Sequence, residues 1–392
     1  MFYPILVSIC QGAAIFTAQY YGQGNYQEVQ KIFSIKLIFP SLATLFFFFV
    51  GVLFPQRIIG FFVDANLDAY KHGVKYLKIV IWSYLPLSIS SAFAFTLRPL
   101  KLTHIPMIAV IVGMSTNALL NFLLIYGFWI FPALGVEGAA IATVIARIME
   151  LIVYIVLFFK NDYPFKTKIA NYFKIDLDLV RKTFVKVVPL FFNEVLFTSA
   201  LTIIFKTYSN LGQKEIAVIN IADVISQIVY ILASGLGTAA NIFVGIHLGN
   251  NELKEAEDNA NYLLGYSVGM GIIITFILSI ISFIVPHFYN IQPQTKVLTT
   301  YAILIHAFMA PVTMLTRIPF FVLRSGGRVY EVLLLDAIFM WIVKVPVAII
   351  CGYVLHFPIL PLFLAVEATR ILNATISMAL YKKKRWLTNL TS

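Results

Sequence analysis

The amino-acid sequence predicts an all-α polytopic membrane protein. Of its 392 residues, 60% are hydrophobic and only 12% are charged, whereas about 25% of the residues of a soluble domain are charged. This number of charged side chains is too small to cover the surface of a water-soluble globule of this size. The apolar surface must therefore face lipid. The apolar runs are also continuous over roughly 20 residues, the length of a transmembrane helix, whereas barrel strands would alternate over about ten.

Eleven apolar runs follow one another along the chain. Those before the longest polar interval lie at 1–20, 31–54, 73–97, 105–129 and 134–160. Those after it lie at 183–208, 214–245, 260–286, 298–322, 331–355 and 357–382. The first run has neither a basic segment before it nor a small-residue cleavage site, so it is predicted to be a span and not a signal peptide.

The polar interval 161–182 predicts a linker between an N-terminal lobe, 1–160, with five spans and a C-terminal lobe, 183–392, with six. Similar residues recur between the lobes, as Gly22 does at Gly249 and Pro86 at Pro311. Gly22 and Gly249 are 227 residues apart. Moving the sixth run back along the chain by that number would put its counterpart in the first lobe upstream of residue 1. The pattern therefore predicts two six-helix lobes related as parallel repeats, of which the first is short of one helix.

Orientation in the membrane follows from the loops that carry lysine and arginine, since cytoplasmic loops are enriched in both. Successive loops lie on opposite sides of the membrane and so form two sets. The set that includes the linker and the basic segment 382–385 carries most of the lysine and arginine residues, and we assign Lys36 and Arg324 to this set. We therefore predict that the linker and the C-terminus are cytoplasmic and that the chain lies in the plasma membrane. The net charge of +11 then reflects topology, and no nucleic-acid partner is expected.

No motif in the sequence predicts an enzyme. Neither the phosphate-binding G-x-x-x-x-G-K-[ST] pattern nor the zinc-binding H-E-x-x-H pattern occurs. The segment 265–269 matches the G-x-S-x-G pattern of a nucleophile elbow, but it lies in an apolar helix and not at the strand-to-helix turn that the elbow requires. The two cysteines, Cys10 and Cys351, lie far apart in apolar runs. We expect no catalytic residues, no metal site other than one for Na⁺ and no cofactor other than a coupling ion.

Several motifs occur in order along the whole chain. The first lobe carries AQYYGQG at 18–24, LRPLKLTHIPM at 97–107, NALLNFLLIYG at 117–127 and PALGVEGAAIATVIARIMEL at 132–151. The second carries VPLFFNEVLF at 188–197, VINIADVISQ at 218–227, HLGNNELKEA at 247–256, LRSGGR at 323–328, LLLDAIFMWIVKVPVA at 333–348 and KKRWLTNLT at 383–391. This series resembles the multidrug and toxic compound extrusion (MATE) family of secondary transporters. The departure is the family's first helix, which carries a coupling acid and has no counterpart in this sequence.

An ionised side chain inside the bilayer costs a few kcal/mol or more, so each acid within an apolar run is a functional candidate. Glu194 lies near the middle of the sixth run, beside Asn193 and five residues after Pro189. A carboxyl at that depth can exchange a proton or bind a cation. The resemblance implies the same role, because the NorM branch of the family places a coupling acid at this helix position. The alternative is a structural, hydrogen-bonded acid.

Asn117 and Asn121 are four residues apart and share one helix face. Their side-chain carbonyls can ligate a hard cation or hold a polar group on a neighbouring helix. The resemblance implies the first role, since the pair matches fifth-helix residues of the family's N-lobe cation site.

Other polar residues inside the runs are candidates for the substrate cavity or for structural pairs. Asp223, with Asn220 one turn before it, and Asn193 are expected to line the cavity. Asp336 is the fourth cavity candidate. It lies five residues into its run with Lys344 two turns further on, so we expect a gate or a salt bridge between the lobes there and not substrate contact. The pairs predicted within single helices are Arg147 with Glu150 and Glu367 with Arg370, and His306 is expected to be a satisfied polar contact.

These expectations combine into a monomeric antiporter driven by H⁺ or Na⁺ that exports small amphipathic organic cations by alternating access. The alternative in the same superfamily is a lipid or oligosaccharide flippase, and a truncated, non-functional remnant is the second alternative. A flippase would need many cations for a pyrophosphate group. The membrane-embedded lysine and arginine residues are only Arg147, Arg317, Lys344 and Arg370.

Overall fold

The computed structural model describes residues 2–60, 68–127, 132–172 and 174–391. These residues form α-helices with short 3-10 and π turns and contain no β-strand. Nine helices in this part of the chain are long and apolar enough to cross a membrane, and a bent pair of helices makes a tenth. The predicted all-α membrane fold is therefore confirmed. The first predicted span, 1–20, is a helix, but it is not among these ten.

The chain divides into two compact units, Met1–Val187 and Val188–Ser392. In unit 1, helix α1 packs on α2 and α5, and α6 packs on α7. A 3-10 turn at Ile81–Ser83 joins α4 to α5, and the two form one span, Tyr70–Leu97. The helices of this unit are α1 (Phe2–Gly22), α2 (Tyr26–Leu53), α3 (Pro55–Gly60), α4 (Asp68–Val80), α5 (Tyr84–Leu97), α6 (His104–Tyr126), α7 (Gly135–Lys160) and α8 (Ile169–Tyr172).

Unit 2 begins within a long helix, α9 (Leu177–Ser209), whose first turns lie in the 161–182 interval. Helix α10 packs on α11, α12 and α13, and α16 packs on α13 and α12. The span Val329–Val354 contains two short α-helices and three π-helical turns, at Leu334–Ile338, Met340–Lys344 and Ile350–Val354. The remaining helices are α10 (Gln213–Gly249), α11 (Leu253–Ile284), α12 (Pro293–Phe308), α13 (Ala310–Ser325), α14 (Val329–Leu333), α15 (Val345–Ile349) and α16 (Ile359–Lys382).

Helices α12 and α13 are the bent pair, with an angle of 44° between them. The bend lies at Met309, two residues before Pro311. A proline has no backbone N–H to donate and its ring collides with the preceding turn, so a regular helix breaks there. The bend separates His306 on α12 from Arg317 on α13, and both side chains line one cavity.

The internal repeat is visible in the helix ends. Gly24 (φ 69°) follows α1, and Asn251 (φ 61°) follows α10 at the equivalent position. Lys101 (φ 62°) follows α5, and Gly327 (φ 72°) follows α13. A left-handed residue closes a helix by satisfying its last carbonyls, so the two units end corresponding helices in the same way.

Two basic residues that we counted with the loops are buried within helices. Lys36 is 0% exposed, and its Nζ donates to Thr17 Oγ1 (2.8 Å) and to the carbonyl of Phe95 (3.0 Å). Arg324, in the last turn of α13, is 4% exposed. Arg324 was placed wrongly because α13 continues to Ser325, beyond the predicted run 298–322. Lys36 was placed wrongly because it lies inside the predicted run 31–54, and α2 begins ten residues before it, at Tyr26.

Candidate functional site

Polar and aromatic side chains of unit 2 converge on a cavity of about 580 Å³. Its aromatic lining includes Phe197, Phe205, Tyr208, Tyr230 and Phe363. The charged or titratable residues on its wall come from α10, α12, α13, α16 and the π-helical span: Asp223, His306, Arg317, Lys344, Glu367 and Arg370. Asn193, Glu194 and Asn220 are not among its lining residues. Of the four predicted cavity residues, Asp223 thus lies on this wall, and Asp336 lines an adjacent pocket.

His306 lies between two carboxylates. Its Nε2 is 3.4 Å from Oδ1 of Asp223, and its Nδ1 is 3.6 Å from Oε2 of Glu367. The imidazole side chain is 4% exposed, whereas the side chain of Asp223 is 53% exposed. The ring of Phe363 meets the imidazole edge to face at 4.9 Å. His306 therefore connects an acid on the cavity wall to a buried acid, a contact that sequence analysis did not assign.

Glu367 is the buried acid of this group, with a side chain 4% exposed. Arg370 Nη2 lies 2.6 Å from its Oε2, so the predicted pair within α16 is confirmed. Lys344 Nζ adds a second cation, 3.0 Å from Oε1. Arg370 also donates to Thr313 Oγ1 at 3.1 Å. Two cationic side chains therefore pair with the carboxylate of Glu367, and this pairing offsets the cost of burying its charge.

Asp336 is joined to α9 and α13, and not to Lys344. Asn193 Nδ2 donates to Asp336 Oδ2 at 3.1 Å, and the N–H of Ala337 donates to Asn193 Oδ1 at 3.3 Å. Arg317 Nη1 lies 3.6 Å from Asp336 Oδ1. The ion-pair partner of Asp336 in the structure thus comes from the same unit. A π turn at Leu334–Ile338 holds the acid, and a wider turn of this kind often occurs at functional sites.

Glu194 is half-buried on α9, next to Asn193. The charged groups that act on its carboxylate are Asp336, Arg324 and Arg317. Among the ion pairs of the described residues, none involves Glu194. The acid therefore lies beside the Asn193–Asp336 contact without a fixed counterion.

Arg317 is a second residue whose contacts sequence analysis missed. Its guanidinium lies 5.7 Å from the ring centres of Phe197 and Tyr230 and 5.6 Å from that of Phe320. Arg370 faces Tyr230 at 5.2 Å. A guanidinium over an aromatic face is stabilised electrostatically. The one signal in the sequence was a cation inside an apolar run, which does not indicate these partners.

In unit 1, Asn117 and Asn121 share a face of α6 as predicted. Asn121 Nδ2 donates to Asn117 Oδ1 at 3.0 Å, and Asn117 Nδ2 donates to Thr143 Oγ1 of α7 at 3.4 Å. The buried Oδ1 of Asn121 has no hydrogen-bond partner in the described part of the chain. The bond to Thr143 fits interhelical packing, and the spare oxygen fits a cation ligand. Arg147 and Glu150 form the predicted pair within α7, at 2.6 Å.

The MatE family model matches residues 1–123 and 189–359. A probable multidrug resistance protein, YoeA of Bacillus subtilis (strain 168), is 22% identical over 98% of this chain and 84% of its own length. A probable multidrug resistance protein NorM of Thermotoga maritima is 21% identical over 97% of this chain and 82% of its own length.

Solved structures share the fold at low sequence identity. A crystal structure of MATE in complex with MaL6 has a TM-score of 0.86 at 14% identity and covers 98% of this chain and 85% of that one. An outward-facing multidrug resistance MATE family transporter of the MOP superfamily has a TM-score of 0.83 at 15% identity, over 98% of this chain and 85% of that one. The expected resemblance is confirmed, and the chain belongs to the MatE family of multi-span membrane transporters.

Proposed function

We propose that this protein is a secondary active transporter that exports small amphipathic organic cations in exchange for H⁺ or Na⁺, by alternating access. The observation that carries the proposal is the environment of Glu194. It is a half-buried carboxylate on a membrane-spanning helix, beside the Asn193–Asp336 contact. No ion pair holds it among the described residues.

An acid in this position is suited to carry a coupling ion. A buried carboxylate without a fixed counterion gains stability from a proton or a Na⁺ ion, since burial disfavours its isolated charge. Asp336, whose charge acts on Glu194, is a second carboxylate in this region, and hard cations prefer oxygen ligands. A coupling ion shifts a transporter between two states only if its affinity differs between them. We propose that the affinity of Glu194 differs in this way.

Asn117 and Asn121 are the proposed second position for a coupling cation. The unpartnered Oδ1 of Asn121 supports this role, because a buried acceptor without a donor is costly unless a cation or water satisfies it. The bond from Asn117 to Thr143 supports the alternative of interhelical packing.

The cavity in unit 2 supports an aromatic or amphipathic substrate. Five aromatic side chains offer faces and edges for packing, and an organic cation is attracted to an aromatic face. Asp223 presents a carboxylate that is 53% exposed. We propose that the cationic group of the substrate meets Asp223 while its apolar part packs on Tyr208 and Tyr230.

One observation favours a flippase as a second candidate. Three of the four cations that the sequence predicted inside the membrane, Arg317, Lys344 and Arg370, line the same cavity, as a site for an anionic headgroup requires. However, Lys344 and Arg370 are paired with Glu367, and Arg317 lies 3.6 Å from Asp336. These acids leave little unpaired positive charge for a pyrophosphate, so drug export remains the first proposal.

The deciding experiment is transport in proteoliposomes. We expect ethidium to leave the vesicles when a pH gradient or a Na⁺ gradient is imposed and to stay when the gradient is collapsed. Scrambling of a fluorescent anionic lipid without gradient-driven ethidium efflux would favour the flippase. Failure of both assays would contradict the proposed transport function. We further propose that the protein is monomeric, with its C-terminus on the cytoplasmic side of the plasma membrane.

A further inference from the structure

The acids of the unit 2 cavity differ in what neutralises them. Glu367 is held by Lys344 and Arg370 at 3.0 Å and 2.6 Å. Asp336, in the adjacent pocket, faces Arg317 at 3.6 Å. Asp223 has one ion-pair partner among the described residues, and that partner is His306. Whether Asp223 has a positive charge within ion-pair distance therefore depends on whether the imidazole carries a second proton, since histidine changes charge between about pH 5 and 8.

The charges around His306 balance when the imidazole is neutral. Asp223 on α10 and Glu367 on α16 contribute two negative charges. Lys344 of the π-helical span and Arg370 of α16 contribute two positive charges. A proton on His306 would add one positive charge to a side chain that is 4% exposed.

Among the described residues that line this cavity, the other elements near His306 supply no further carboxylate. Tyr208 of α9 and Arg317 of α13 line the same cavity as His306. Helix α11 also packs on α12, but its charged residues lie in the segment 254–258, within its first two turns. Asp223 and Glu367 are therefore the two acids of the described residues that face His306.

We propose that His306 and Asp223 form a proton-binding site in this cavity, at which an amphipathic organic cation and a proton compete. This inference rests on the proposed transport function and names the residues at which substrate and proton exclude each other. The site is separate from Glu194, which does not line the cavity.

The geometry explains why the two ligands compete. When Nδ1 carries the one proton of the neutral imidazole, it faces Glu367, and the lone pair of Nε2 faces Asp223. Asp223 is then the unpaired anion of the cavity and attracts an organic cation. When water delivers a proton to Nε2, the new N–H donates to Asp223, and the imidazolium repels a cation. Binding of the cation releases that proton again, so one positive charge replaces another.

The test is equilibrium binding of tetraphenylphosphonium to the purified protein in detergent. Binding is measured at about pH 5.5 and about pH 8, the limits between which a histidine changes charge. The wild type should bind the probe roughly tenfold more tightly at the higher pH, within the usual range of coupling between two ligands. His306→Gln should bind equally at both pH values, with the affinity of the wild type at the higher pH.

Two variants and a control complete the comparison. His306→Lys, which carries a permanent charge, and Asp223→Asn, which removes the acid, should both bind weakly at either pH. His247→Gln is the matched control. Nδ1 of His247 lies 2.6 Å from Oε2 of Glu252, so this histidine also faces a carboxylate, but it lies in the last turn of α10 and does not line the cavity. The control variant should keep the pH dependence of the wild type. Binding of the wild type that does not change with pH, pH dependence retained by His306→Gln, or no binding of the probe to the wild type would each overturn the inference.

A second measurement does not depend on the folding of any variant. The chain has six histidines, so wild-type protein labelled with ¹⁵N-histidine gives few imidazole signals. Saturating probe should lower the pH at which one of them titrates. The inference is overturned if no signal responds. Absence of gradient-driven efflux alongside pH-dependent binding would instead overturn the transport function and leave this site standing.

Discussion

The side-chain amide of Asn193 on α9 donates a hydrogen bond to the carboxylate of Asp336, with 3.1 Å between Nδ2 and Oδ2. The carbonyl of the same amide accepts from the N–H of Ala337 at 3.3 Å. One buried side chain, 2% exposed, therefore joins α9 to the first π turn of the Val329–Val354 span. Glu194 follows Asn193 directly, so this contact also positions the proposed coupling acid.

Replacement of Asn193 by alanine should destabilise the protein by about 1–2 kcal/mol. The substitution removes the hydrogen bond to Oδ2 of Asp336 and the side-chain acceptor of the Ala337 N–H, and a hydrogen bond between membrane helices contributes at most about that much. The measurement is thermal unfolding in detergent. Asn259→Ala is the matched control, because the half-buried Asn259 donates to a carbonyl of its own helix. Equal unfolding temperatures for the two variants would contradict the structural role of Asn193.

Glu194→Gln should abolish ethidium efflux driven by a pH or Na⁺ gradient. Glutamine keeps the size and hydrogen bonding of the side chain but cannot titrate. Binding of the dye in detergent should survive within roughly tenfold, about 1.4 kcal/mol, since Glu194 does not line the cavity. Glu194→Asp should keep partial efflux with a shifted pH dependence, because its carboxyl is withdrawn by one methylene.

Glu255→Gln is the control for this series, since Glu255 is exposed in the first turn of α11. It should transport like the wild type. Wild-type efflux from Glu194→Gln would mean that Glu194 is a structural acid and that coupling resides elsewhere, with Asp223 as the next candidate.

Asn117→Ala and Asn121→Ala should weaken gradient-driven efflux while expression stays near that of the wild type. The reason is the loss of a side-chain oxygen from a proposed cation position. Thr143→Val separates the two roles of the pair, because it removes the bond to Asn117 and leaves both asparagines in place. If all three variants lose stability equally and none changes ion dependence, interhelical packing is the function of the pair.

Glu367→Gln should be strongly destabilising, by about 3–5 kcal/mol, because it leaves Lys344 and Arg370 buried without their counterion. Lys344→Met in the same chain should restore part of that loss. Glu150→Gln is the comparison: its partner Arg147 has a side chain that is 42% exposed, so water can solvate the cation that remains. Unfolding in detergent measures all three variants, and a smaller effect at Glu367 than at Glu150 would contradict this account.

Cysteines introduced at Lys168 and Thr391 should be protected from a membrane-impermeant thiol reagent in intact cells. The distribution of lysine and arginine among the loops predicts that both positions lie on the cytoplasmic side. A cysteine at Gln294, which is exposed in the first turn of α12, should react and serves as the positive control. The native cysteines, Cys10 and Cys351, are buried. Labelling at Lys168 or Thr391 would overturn the proposed topology.

What the sequence determined by itself is the part of the structure that depends on local spacing. Continuous apolar length predicted the membrane-spanning helices. Spacing by three residues predicted Arg147–Glu150 and Glu367–Arg370, and both pairs are present. A residue three positions away on a helix is a neighbour whatever surrounds that helix.

The tertiary structure alone decided the partners across helices. Asp336 meets Arg317 and Asn193, Lys344 meets Glu367, and His306 lies between Asp223 and Glu367. Membrane helices are apolar on nearly every face, so their sequence pattern does not indicate which face meets a neighbour. The rotation of each helix, the bend at Met309 and the π turns set these contacts. For the same reason, the burial of Lys36 beside Thr17 follows from how α2 packs and not from its position in the sequence.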